Sequence, residues 1–106
     1  MFGFFSKKEM DREAAVKFWD WFSTQEADII RQIESHESEF IWDIDAKLKP
    51  VFPYFHKELE FQLGFDKGTG EFFFFHFGKH PLMEDAKVWA ALKPKSLNHW
   101  KIILDR

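Results

Sequence analysis

The side chains in this sequence best suited to chemistry are five histidines, His36, His56, His76, His80 and His99, and a few close carboxylate pairs. Ligands to one metal ion need a rigid spacing, most simply one turn of a single helix. His76 and His80 stand four apart, but the first closes an extended stretch and the second precedes a proline. Glu84 or His99 would have to fold back to complete a set, and no tight ligand spacing is present. We therefore assign no metal site, reading His76 as a strand residue facing solvent or a partner and His80 as a helix cap. The carboxylate pairs are Asp43 with Asp45, Glu58 with Glu60, and Glu84 with Asp85. Glu58 and Glu60 share one face of a strand, where phenylalanines across the strand would desolvate them, a common route to a general acid or base. Alternating glutamates on an amphipathic strand are, more simply, its wetted face.

Other catalytic signatures are missing. There is no nucleophile elbow, no phosphate-cradling glycine loop and no dinucleotide fingerprint, and Gly68 and Gly70 read as turn glycines. Without cysteine there is neither a disulfide framework nor thiol chemistry, which suits a reducing cytosol. The sequence names no catalytic residue and no cofactor, and we read the protein as non-enzymatic.

What positions Glu58 and Glu60 is a β-hairpin. Leu59, Phe61, Leu63 and Phe65 alternate with Glu58, Glu60 and Gln62, so the first strand, Tyr54 to Phe65, has one dry and one wet face. Its partner, Glu71 to Phe77, holds five phenylalanines in six positions and has no obviously wet face. Asp66-Lys67-Gly68-Thr69-Gly70 is the turn. With Gly68 in a left-handed bulge position, Phe65 pairs with Thr69. That register sets Phe61 opposite Phe73 and Leu59 opposite Phe75 on the dry face. Phe72, Phe74 and His76 then fall beside Gln62, Glu60 and Glu58. Moving the loop by one residue swaps the two phenylalanine sets but leaves the surplus.

Helices come before and after. Ser6-Lys7-Lys8-Glu9 is a capping box flanked by Phe5 and Met10, so a helix should start there and run to about Phe22. It buries Met10, Ala14, Phe18 and either Trp21 or Phe22. Phe18-Trp19-Asp20-Trp21-Phe22 has aromatics around more than half the helix and must be wedged between two surfaces. Ser23-Thr24-Gln25-Glu26 repeats the capping pattern, so a restart competes with one continuous helix to Glu34, with Ala27, Ile29, Ile30 and Ile33 inside. A further helix runs from near Glu39 until Pro50 and Pro53 end it. Pro81 suits the first position of the next, which stops before Pro94. A last strand, Trp100 to Leu104, turns Trp100, Ile102 and Leu104 to one side. These elements make one α+β domain: an apolar arm (1–5), a helical part (6–50) and a ββαβ part (54–106). We expect a three-stranded, mainly antiparallel sheet with the first strand central, packed on helices as a two-layer sandwich.

A net charge of −3 with scattered lysines argues against nucleic acid. The apolar start, Met1-Phe2-Gly3-Phe4-Phe5, is shorter than the apolar core of a signal peptide, and no window is long enough to span a membrane. We expect a soluble cytoplasmic protein.

Phe18-Trp19-Asp20-Trp21-Phe22, with Leu92-Lys93-Pro94 through Leu97 to Trp100-Lys101-Ile102, resembles a group of short bacterial proteins of unassigned function. In that group an aromatic FWxWF helix precedes a hairpin, and a P-x-x-L-x-x-W run leads into the last strand. The likeness spans most of the chain and implies the fold and a bacterial origin. Phe72 to Phe75 depart from it, replacing the usual small polar residues of the second strand. The group brings no catalytic residue.

The functional expectation rests on the aromatic surplus. Phe72, Phe74 and His76, beside Glu58, Glu60 and Gln62, are the candidate interface residues, with a second copy of the chain or another protein as partner. Phe74→Glu should then give a folded monomer. An immunity or inhibitor protein for a bacterial toxin, and a small-ligand-binding or weakly enzymatic domain using Glu58, Glu60 and His76, are the alternatives. Within the chain, the Met1 to Phe5 arm or an N-terminal helix would be the covers available for the surplus.

Overall fold

The computed structural model describes residues 9–105; the Ser6 cap, its Phe5 staple and the Met1 to Phe5 arm lie outside them. Helix α1 spans Arg12–Glu34. Asp11 caps it, its carboxylate accepting the Ala14 N–H at 3.1 Å, and Glu13 adds negative charge in the first turn, where the helix dipole favours it. The helix thus starts later than the Ser6 pattern suggests, and it passes Ser23 without a break. Ser23 and Thr24 donate their hydroxyls back to the carbonyls of Trp19 (3.0 Å) and Trp21 (2.7 Å). Spent on the preceding turn, they cap nothing. At the far end His36 takes φ 60°, and the N–H groups of His36 and Glu37 bond the carbonyls of Ile33 and Gln32, a Schellman stop.

Helix α2, Glu39–Leu48, starts where expected, but Ser38 does not cap it with its side chain. The buried Gln32 does: its Oε1 accepts the Phe40 N–H at 2.9 Å while its amide donates to Asp28 at 2.8 Å. A 3-10 turn at Lys49–Val51 ends it at Pro50. The chain turns again as the Phe55 N–H meets the Phe52 carbonyl, so β1 is confined to Glu60–Asp66.

Strand β2, Thr69–Phe75, pairs antiparallel with β1 from Asp66–Thr69 to Glu60–Phe75. Lys67 and Gly68, at φ 53° and 81°, form a two-residue type I′ turn. The bulged three-residue loop expected from the sequence is therefore replaced by a shorter one, and Phe61 faces Phe74 rather than Phe73. Helix α3 covers Leu82–Ala91, with Pro81 in the cap position rather than inside. Strand β3, Trp100–Asp105, then lies parallel against β2, giving the order β1-β2-β3.

The fold is α+β, with a mixed three-stranded sheet packed on helices, but β2 and not β1 is central. Two causes are visible. A helical crossover returns the chain in the direction of β2. Gly70, at the start of β2, also leaves room for the Trp100 indole, whose ring carbons sit 2.3–2.7 Å from where a Cβ would be. The inner face of the sheet meets α1 and α3. Phe72 lies 5.3 Å from Trp89, 6.1 Å from Phe22 and 6.3 Å from Phe18, centroid to centroid. Trp19 stacks on Trp89 at 5.0 Å and donates its indole N–H to the Trp89 carbonyl at 2.8 Å. Each such ring contributes about 1.5–3 kcal/mol by leaving water. Trp21, half-buried on another side of α1, has the Lys47 ammonium of α2 5.9 Å from its ring centre. The aromatic run is wedged between sheet and α2, as its composition demands, whereas Ala27, expected inside, is exposed.

Candidate functional site

Successive residues of β2 alternate between the two faces of the sheet. Phe72 and Phe74 are fully buried, and His76, just beyond the strand, is 7% exposed. All three are on the helix side, which overturns their expected place at an interface. The physical reason is Glu71. In the bulged register it would enter the core together with Phe73 and Phe75, and an unpaired buried carboxylate is prohibitively costly. The two-residue turn leaves Glu71 exposed and brings in Phe72 and Phe74 instead.

The surplus therefore survives on the outer face with the other set. Phe73 stands opposite Gln62, Phe75 opposite Glu60, and Ile103 of β3 beside Phe73. The rings of Phe73 and Phe75 are nearly parallel, 6.4 Å apart at 10°, and Phe77 continues the row at 6.4 Å and 29°. Phe77 is 54% exposed and has φ 55°, a left-handed conformation that costs a bulky residue about 1–2 kcal/mol. His76 holds that corner. Its Nδ1 accepts the Gly78 N–H at 2.9 Å and its carbonyl accepts the Lys79 N–H at 3.0 Å. Phe73 and Phe75 are half-buried; of the six residues expected from the sequence, Glu60 and Gln62 stand opposite them and Glu58 lies just before β1, exposed. Phe73, Phe75 and Phe77 were missed, and the charge on Glu71 was the signal that could have found them.

Several of the remaining polar groups pair with one another or with the backbone. Glu58 and Glu60 are both exposed, at the margin of a depression beside β1. Glu84 pairs with Lys87 at 3.2 Å and Asp45 with Lys49 at 3.1 Å. Asp85 accepts the Tyr54 hydroxyl at 2.6 Å, and burial, with Asp85 second, holds that phenol well above its ordinary range. The Gln32 amide, followed by Arg31, holds the Asp28 carboxyl below the usual range. Glu26 accepts the Trp100 indole N–H at 2.9 Å and contacts the His99 ring, tying the start of β3 to α1. Among the described residues no three His, Asp or Glu side chains converge as a metal set, and His80 is exposed rather than capping α3.

Among the described residues no helix is long and apolar enough to cross a membrane. No family model, no curated protein and no solved structure matches the chain.

Proposed function

We propose that the protein is a non-enzymatic interaction domain that pairs with a second copy of itself through the outer face of its sheet. The observation that carries this reading is the stacked row Phe73, Phe75 and Phe77, which has no layer of described helix over it. Contiguous apolar patches on a protein surface tend to be interfaces, and aromatic rings supply most of the energy in them. Two sheets packed face to face lie about 10 Å apart, a gap that phenylalanine side chains fill. The rim carries both signs, Lys101 with Glu60 and Glu71, as a self-complementary two-fold contact requires. A cysteine-free chain suits the cytoplasm, and the likeness of its aromatic anchors to short bacterial proteins suits a bacterial source.

Sedimentation equilibrium tests the reading. The wild-type chain should be dimeric and Phe75→Glu a folded monomer with an unchanged circular dichroism spectrum. A wild-type chain that stays monomeric at the highest concentrations reached would refute self-association through this face.

A further inference from the structure

We infer that the free edge of β1 docks an extended segment of another protein, one in which apolar residues alternate with lysine or arginine. β1 is an outer strand of the sheet. The two-residue turn makes Asp66 and Thr69 a hydrogen-bonded pair, and Gly64, Gln62 and Glu60 follow in the same phase. Gly70 gives the phase independently, since its N–H goes the other way, to the His99 carbonyl at 2.9 Å. The N–H and C=O groups of Phe61, Leu63 and Phe65 therefore point away from β2. Among the described residues none of them meets a backbone partner on that side. Such an edge is a template for one more strand.

The edge opens into two depressions in series. One, of about 580 Å³, lies between Phe40, the end of α1 at Ile33, and the later half of β1. The other, of about 300 Å³, lies between Ile41, Trp42 and the earlier half. Trp42 is 76% exposed and forms one wall of the second depression. Side chains of an added strand that lie beside Phe61 and Leu63 would point into these depressions, so they should be apolar.

Charge selects the rest. Glu34 and Glu37 border the first depression, and Asp45, Glu58 and Glu60 the second. Lys49 is already paired with Asp45 at 3.1 Å and Arg31 with Glu37 at 3.2 Å, leaving the excess negative. Outward positions of the guest should be basic. The same charge disfavours a second copy in this groove. Antiparallel pairing of two β1 strands centred on Leu63 would set Glu60 against Asp66 at both ends.

The test uses the full chain and a displayed library of random linear peptides, panned at low salt. Enriched sequences should alternate apolar residues with lysine or arginine. Synthetic versions should bind Trp42→Ala and Glu58→Lys about tenfold more weakly than wild type, the size of one interface anchor. N-methylating every second peptide amide should abolish binding in one phase and spare it in the other, a pattern that only an added strand produces. Phe75→Glu should bind as wild type does, so that loss of self-association and loss of this site are read separately. The proposal is overturned by an empty or acidic selection, by N-methylation without phase, or by binding indifferent to both groove variants. Protection of the Leu63 amide from hydrogen exchange in the protein alone would also overturn it, because the edge would then already be filled.

Discussion

Phe74 and Phe75 are adjacent, chemically identical, and on opposite sides of one strand. Phe74 has no exposed surface and lies 5.5 Å from Trp89 and 5.6 Å from Phe52. Phe75 has Glu60 opposite it and two stacked phenylalanines as neighbours. On the inner face a ring contributes to folding; on the outer face its apolar surface has nothing from the described helices to meet. The difference shows that composition alone does not assign a role within this strand, because parity does.

Introducing charge on each face is the harshest way to break that comparison. Phe74→Glu should remove about 3–5 kcal/mol of packing and add the cost of a buried carboxylate. Against a total stability of about 5–15 kcal/mol, the variant should be largely unfolded by circular dichroism at room temperature. This reverses the expectation from the sequence, in which Phe74→Glu yields a folded monomer. Against wild type diluted to the monomer, Phe75→Glu should cost only about 1 kcal/mol in urea unfolding, the size of a surface change with one like-charge neighbour. Similar losses in the two variants would mean that the faces are not distinct.

Glycines sharpen the contrast at a lower energy. Gly70 is on the inner face, and a methyl group there would overlap the Trp100 ring. That ring cannot easily retreat, because Phe22 and Phe65 pack on it at 5.2 and 5.6 Å and Glu26 holds its N–H. Gly70→Ala should therefore cost about 1–3 kcal/mol, the usual range for overpacking. Gly64, on the outer face opposite Glu71, has nothing within 4 Å of the corresponding position. Gly64→Ala should leave stability unchanged or slightly raised. Urea midpoints of the two variants would test the assignment of faces without adding charge.

Much of the fold was legible because its signals are local. The FWxWF run could only be a wedge, Pro50 could only end α2, and alternation marked β1 as half-dry, so the α+β class followed. Strand order was less accessible, since it depends on Gly70 meeting Trp100, residues distant in sequence. The outer-face residues were mistaken through a single ambiguity. Asp66-Lys67-Gly68-Thr69-Gly70 accepts either a two-residue or a three-residue loop, and the choice moves every β2 side chain to the other face. Glu71 carried the deciding information, because only one parity keeps it in water.

Lys67 tests that last point with the smallest expected effect. It is a non-glycine residue at φ 53° in the first central position of a type I′ turn, where asparagine is preferred because it tolerates the left-handed region. If the two-residue turn sets the register, Lys67→Asn should raise stability by about 0.5–1 kcal/mol. It should also leave the amide-exchange pattern of β2 unchanged. A β-branched residue at the same place should lower stability instead. Were the bulged loop the true one, Lys67 would sit in a right-handed turn and asparagine would confer no such gain. The sign of one small free-energy change therefore reports which phenylalanines this strand turns to water.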